Sequence, residues 1–172
     1  MEIQADRIIL KPLGMKYLDS VNEYAMDKDN TTYMLFLPND SVQDTINFLK
    51  AAEIEWEKEL PAFYEFAIIY DGIHIGTVSL YPNDDRTSAE FGWIINKKYW
   101  NQGFAYEAAC ALLEYTVKEL GIRHFIAHCD TENNASWRVM EKLGMKRVSE
   151  IGGRKNKQFD KMSREYMYEL KI

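Results

Sequence analysis

One glycine-containing loop runs straight into a helix at Tyr99-Trp100-Asn101-Gln102-Gly103-Phe104-Ala105-Tyr106-Glu107-Ala108. The first amides of a helix have no intrahelical acceptor, and the helix dipole adds partial positive charge at the same end. Residues of this type in this order make an anion site, with phosphate the natural occupant. The chain holds no Gly-x-Gly-x-x-Gly and no Walker pattern, so dinucleotide and triphosphate binding lose their usual support. A second polar segment, Asp130 to Ser136, opens another helix. Asn133 suits its N-cap, with Ser136 in position to bond back to it. His124 and His128 share one strand face by alternation, but no third ligand accompanies them, so no metal is expected.

The elements that position these residues follow from hydrophobic period. Arg7 to Leu10 reads as a short strand and Met15 to Met26 as an amphipathic helix. A longer helix begins at Asp40-Ser41, with Asp44 completing a capping box. Tyr64 to Tyr70, Ile75 to Tyr81 and Ser88 to Ile95 are three closely joined strands, the first pair linked by Asp71-Gly72. Gly103 to Leu120 is a helix with Gly121 at its C-cap. Arg123 to Cys129 is a strand, Ala135 to Leu143 a helix, and Met145 to Ile151 and Lys161 to Leu170 are the last strands. The order β-α-α-β-β-β-α-β-α-β-β, without repeat or linker, predicts one mixed α/β domain over residues 1–172.

Composition narrows the partners. A net charge of −6 leaves no broad basic surface to neutralise nucleic acid and suits a cationic or amine substrate. Cys110 and Cys129 fall in helix and strand patterns and read as buried free thiols of a reducing compartment. Neither a signal-like start nor a membrane-length apolar run is visible, so a cytoplasmic protein with no membrane partner is expected.

Taken together, the segments resemble the GNAT-superfamily N-acetyltransferases, in the RimJ/RimL-like branch that acetylates ribosomal proteins and polyamines. The matching text is Ile75-Gly76; Ala89-Glu90-Phe91-Gly92-Trp93-Ile94-Ile95; Tyr99 to Ala105 with Glu107-Ala108; and Asn133-x-Ala135-Ser136-x-Arg138-Val139-x-Glu141-Lys142-Leu143-Gly144-Met145. It runs in order from Arg7 to Tyr168. The resemblance implies a central, mostly antiparallel sheet of about seven strands flanked by about four helices. It also implies a V-shaped split between the strands at 88–95 and 123–129. Acetyl-CoA is the implied acyl donor. Its pantetheine lies in the split against the backbone of Trp93, Ile94 and Ile95, satisfying groups that the parted edges leave unpaired.

By the same carry-over, Trp100, Asn101, Gln102, Gly103, Phe104, Ala105 and Tyr106 form the pyrophosphate loop, with Gln102 to Tyr106 donating amides. Asn133 contacts the pantetheine arm and Ser136 lies near the thioester sulfur. Two positions depart from the family pattern: Asn101 stands where Gly is usual, and Tyr106 where Thr is frequent. Asn tolerates positive φ better than most residues, which preserves the turn.

Glu90 matches an acidic position near the acceptor and is the candidate general base, with His128 the alternative. A lysine-like amine of pKa about 10.4 must lose a proton before attack, a cost on the order of 4 kcal/mol at neutral pH, whereas an α-amine near 8 needs less help. A strand N–H near Ile94 or Ile95 is the expected oxyanion donor. Many relatives protonate the leaving thiolate with a Tyr at the position of Met140; here Ser136 is the surviving donor. Tyr33, Trp56, Phe63 and Tyr64 are candidates both for the acceptor pocket and for the core. The expected activity is therefore acetyl transfer to a primary amine, by direct attack with both substrates bound. The acceptor is a protein N-terminus, a polyamine, an aminoglycoside or another small amine. The competing reading is a non-catalytic acyl-CoA-binding sensor or scaffold. A homodimer is compatible with the branch.

Overall fold

Apolar runs too continuous for a half-solvated strand need cover on both faces. The computed structural model, which describes residues 1–172, supplies that cover. The strands are β1 (Ile3–Gln4), β2 (Ile8–Pro12), β3 (Tyr64–Tyr70), β4 (Ile73–Pro82), β5 (Ser88–Ile95), β6 (His124–Asp130), β7 (Lys146–Arg154) and β8 (Ser163–Lys171). The helices are α1 (Leu18–Ala25), α2 (Val42–Trp56), α3 (Phe104–Tyr115) and α4 (Asn134–Lys142). All eight strands form one sheet in the order β1-β2-β3-β4-β5-β6-β8-β7. The strand beyond the expected seven is β1, a two-residue edge piece too short to leave a periodic signature.

Alternate residues of the strands build two cores. Phe66, Ile68, Val78, Leu80, Phe91, Phe125 and Ala127 pack with Ala108 and Leu112 of α3 and Met140 of α4. On the other face Ala67 and Ile69 pack with Val21 and Tyr24 of α1 and Leu49 of α2. At the start of α2 the Asp44 carboxylate accepts the Ser41 N–H at 2.9 Å, as the capping-box spacing predicts. The helix expected to run to Leu120 changes instead: α3 ends at Tyr115 and Thr116 to Leu120 widen into a π turn. Thr116 Oγ1 donates to the Leu112 carbonyl at 2.7 Å, which competes with the helical amide there.

Every neighbouring pair of strands is antiparallel except β5 and β6. That parallel pair runs only from Ser88 with His124 to Phe91 with Ala127. Beyond it, Gly92 to Ile95 stay on β4 while His128 to Asp130 stay on β8, and the two strands part. Phe91 and Phe125 stack at 5.2 Å under the last paired residues, so the closed end is packed from below.

Gly76 holds β4 close to the open end of β5. A Cβ there would fall 2.3 Å from the Ile94 carbonyl oxygen, which belongs to backbone and cannot swing aside. Gly76→Val is expected to lower stability by about 1–3 kcal/mol through this overpacking. An unchanged urea midpoint would show that the β4–β5 approach is not tight.

Candidate functional site

The parting of β5 and β6 opens into a cleft of about 680 Å³ that ends on the loop before α3. Its walls are Asp29, Asn30 and the segment 32–34, the strand residues Trp93 to Ile95, the loop 99–106 without Gln102, and the start of α4 from Glu132 to Val139 without Trp137. The sequence-derived candidates Trp93, Ile94, Ile95, Trp100, Asn101, Gly103, Phe104, Ala105, Tyr106, Asn133 and Ser136 therefore line one cavity.

The loop has the backbone that an anion cradle needs. Asn101 takes φ +60° and Gly103 φ +83°, both left-handed, with Gly103 as the N-cap of α3. The Asn at the usual Gly position thus adopts the turn as expected. Gln102 is the exception to the expected lining, because its carbonyl turns out to the Arg7 guanidinium at 3.1 Å. Arg7 also bonds the Glu107 carboxylate through its own N–H at 2.6 Å and Nε at 2.8 Å, and its guanidinium lies 4.6 Å from the Phe104 ring centre. Arg7 neutralises a carboxylate that would otherwise oppose an anion at the helix N-terminus. The Phe104 side chain is buried in the core, so only its backbone serves the cleft. Arg138 lines the cleft, and one turn on Lys142 Nζ sits 4.0 Å from the Tyr106 ring centre, adding positive charge at the phosphate end.

Backbone direction sorts the strand residues. Asn96 donates to the Ile75 carbonyl at 2.8 Å, which fixes the alternation of the β4–β5 ladder. Ile94 and Gly92 then spend their amides on β4, while Trp93 and Ile95 turn theirs into the split. Of the two expected oxyanion donors, the Ile94 N–H is engaged in the sheet, whereas the Ile95 N–H, like that of Trp93, is free of the β4 ladder. The Ile95 carbonyl is already taken by Trp100 Nε1 at 2.8 Å and Asn30 Nδ2 at 3.0 Å. Those bonds tie the loop and the α1–α2 segment to the strand end. Asn133 caps α4 by accepting the Ser136 N–H at 3.2 Å. The N-cap bond is made by the Ser136 amide, and its side chain lies within hydrogen-bond reach of the Cys129 thiol at the cleft wall.

Glu90 lies one residue before the last β5–β6 pair, on the sheet face away from α3. His128 shares that face, and the two side chains meet at 2.9 Å, so the two candidate bases are a pair. Glu90 raises the His128 pKa by accepting its hydrogen bond. A raised folded-state pKa gives stability that is full below the ordinary value near 6.5 and is lost as pH rises through the folded value. His124 goes instead to Glu169, 2.6 Å away. Met140 is in the core, away from the cleft wall, so its position supplies no donor. Of the aromatic acceptor-pocket candidates, Tyr33 lines the cleft, Trp56 and Tyr64 pack edge-to-face in the core, and Phe63 sits 6.1 Å from Tyr81.

Above the split the α1–α2 segment and the β7–β8 loop brace each other. Lys157 N–H donates to the Met34 carbonyl at 2.9 Å, and Arg154 Nη2 to the Tyr33 carbonyl at 2.8 Å. Below them Asp130, which is buried, accepts Asn156 Nδ2 and Ser163 Oγ, each at 2.6 Å. A smaller cavity of about 250 Å³ lies against this brace, lined by Leu35, Ile151, Arg154 and Glu165 among others. The contacts of Arg7 with Gln102 and of Arg154 with Tyr33 gave no local sequence signal, because those partners lie 95 and 121 residues away.

The family model for the acetyltransferase (GNAT) domain matches residues 7–146, the span that contains the parted parallel pair and the N-terminus of α3. The chain belongs to this family of acetyltransferases. It is 31% identical over 149 residues to the uncharacterized N-acetyltransferase YnaD of Bacillus subtilis, covering 86% of this chain and 84% of that protein. An acetyltransferase of the GNAT family from Bacillus anthracis has a solved structure with a TM-score of 0.84 at 31% identity, over 99% of this chain and 98% of that one. The ribosomal L7/L12 α-N-protein acetyltransferase RimL, solved with coenzyme A, gives 0.85 over 100% of this chain and 98% of that chain, at 15% identity, a likeness of fold.

The Glu90–His128 contact makes a direct prediction. Glu90→Gln is expected to lower the His128 pKa, and an NMR titration of the imidazole reads it. An unmoved midpoint would mean that the pair does not hold in solution.

Proposed function

We propose that the protein is an acetyl-CoA-dependent N-acetyltransferase acting on a primary amine, either a protein N-terminal α-amine or a small amine, in a ternary complex. The observation that carries this reading is the continuity of the split with the α3 cradle in one cleft. An edge of unpaired strand amides and a helix N-terminus are what an extended amide chain ending in a pyrophosphate requires. The coenzyme A bound to RimL supports the donor.

Each residue then has a task. The amides of Gly103 to Tyr106 hold the pyrophosphate, with Arg138 and Lys142 adding charge. Trp93 and Ile95, turned into the split, bind the pantetheine arm, and one of their N–H groups holds the developing oxyanion. The amide NH₂ of Asn133 reaches the same arm. Acetyl-CoA supplies the thioester carbonyl. Glu90, at the closed end of the split, receives the amine, which must lose a proton before it attacks. Ser136 donates to the leaving thiolate, which with a thiol pKa near 8.5 is a fair leaving group. The acceptor enters past Leu35, Ile151 and Arg154. The order of motifs favours the RimJ/RimL-like branch, with residues 1–172 as one domain, and a cytoplasmic homodimer is proposed with that branch.

An acceptor screen monitored by thiol release tests the proposal. Turnover is expected with at least one class among N-terminal peptides, polyamines and aminoglycosides. Tight acetyl-CoA binding without turnover across the panel would point instead to an acyl-CoA sensor. Gly103→Asp puts a side chain at a left-handed N-cap, facing Arg7 Nη2 at 3.5 Å, where it strains the cradle backbone and brings negative charge to the helix N-terminus, and is expected to abolish acetyl-CoA binding in calorimetry. Unchanged affinity would sink the loop assignment. Ser136→Ala is expected to slow turnover about 10-fold or more with acetyl-CoA affinity little changed. Normal turnover would leave Ser136 as part of a helix cap.

A further inference from the structure

β3 carries a residue that its pattern does not explain. Glu65 interrupts the apolar run Tyr64–Tyr70 and is 2% exposed, yet no Lys or Arg pairs with it. Its carboxyl accepts hydrogen bonds from two hydroxyls on β4, Ser79 Oγ at 2.5 Å and Tyr81 Oη. A carboxylate buried with neutral partners alone is costly to ionise, and burial pushes Glu65 up to about 7.

Its place in the sheet gives that cost a use. Glu65 is opposite Ser79, and Ser79 is opposite Gly92, the first residue of β5 beyond the β6 pairing. Tyr81 is opposite Glu90. Directly opposed residues, and residues two apart on one strand, project on the same face, so Glu65, Tyr81, Glu90 and His128 share one face across β3, β4, β5 and β6. At Gly92 that face carries no side chain: a Cβ there would have Ser79 Cβ at 3.7 Å and Tyr81 Cε2 at 3.8 Å as its nearest neighbours. Tyr81 itself is half-exposed, so one side of its ring reaches solvent while its hydroxyl reaches Glu65. Other elements bring no cation to Glu65. From α1 the facing group is Tyr24, whose phenol the Glu65 charge pushes further up. From α2 it is Trp56, whose indole donates to the Glu65 carbonyl at 3.2 Å. The α2 carboxylates Glu53 and Glu55 are engaged with the Met15 N–H and with Lys58.

We propose that Tyr81 and Glu65 form a proton relay on the acceptor face, resting on the acetyl-transfer reading above. The N–H bond of the acceptor ammonium breaks as an O–H bond forms at Tyr81 Oη, and the phenolic proton crosses to Glu65 Oε1. The amine is left neutral, Tyr81 is unchanged, and Glu65 becomes a carboxylic acid that returns its proton to solvent through the half-exposed phenol. The second amine proton, released on amide formation, goes to the thiolate. Protonating Glu90 would weaken its pair with His128, whereas protonating Glu65 relieves a desolvated charge. Glu90 is then the anchor of the ammonium, and the basic function passes to the buried carboxylate. The substrate class this serves is amines of high pKa, polyamine- or lysine-like, which need deprotonation most.

The test uses Glu65→Gln and Tyr81→Phe in the full chain, with pH–rate profiles for a polyamine and for an N-terminal peptide. Both variants are expected to lower polyamine kcat about 100-fold and to remove the acid limb near pH 7, with KM little changed and the α-amine rate much less affected. In the unliganded wild type, infrared spectroscopy is expected to show a carboxyl band titrating near neutrality that Glu65→Gln removes. Unaltered profiles in both variants, or a limb lost only in Glu90→Gln, overturn the relay and leave Glu90 as the direct base. A wild type that turns over no amine while binding acetyl-CoA overturns the transferase reading and the relay together.

Discussion

The parting of β5 and β6 is the constraint on which the rest of this structure depends. A parallel pair that stops after Phe91 and Ala127 leaves the Trp93 and Ile95 amides aimed at open space. Unpaired backbone is tolerable only where a ligand or water satisfies it. The molecule therefore has to hold the strands apart rather than merely fail to join them. Below, the stacked rings of Phe91 and Phe125 and the buried Met140 fix the closed end. To one side, β4 keeps β5 straight through the close approach at Gly76. To the other, the Asp130 network with Asn156 and Ser163 holds the end of β6 against the β7–β8 hairpin.

Charge is arranged around that opening with a clear polarity. The α3 end of the cleft is lined by helix N-terminal amides, with Arg138 and Lys142 beside it, and the Glu107 carboxylate in the first turn of α3 is neutralised by Arg7. The opposite sheet face carries Glu65 and Glu90, while Glu165 on β8 is paired with Arg154. An anion-holding pole and a cation-receiving pole on two faces of one split suit an acyl carrier and an amine arriving from different sides. Met140 fits the same picture. With a core side chain at that position, the proposed proton donor to the sulfur is Ser136 at the other end of α4.

Strand and helix positions were largely legible in the sequence, because each rests on local period and capping. The capping box at Ser41, the αL residues Asn101, Gly103, Gly121 and Gly144, and the Asn133 cap are all short-range effects that a linear reading reaches. The π turn at Thr116 was missed because a side-chain bond to Leu112 alters the helix without disturbing its apolar pattern. The Arg7 brace, the Arg154 brace and the row from Glu65 to His128 were missed because each joins residues on different strands or loops. For Glu65 one signal was present: a lone carboxylate in an otherwise apolar strand.

By itself the sequence determined the elements, the phosphate loop and the residue types on hand for acyl transfer, since propensity and periodicity act over a few neighbours. The tertiary structure alone decided which amides face the split, that Glu90 and His128 are one pair, and that Gln102 turns away while Ile94 is spent in the sheet. Ladder alternation, strand register and contacts across about a hundred residues set those outcomes, and none of them is encoded in any one segment.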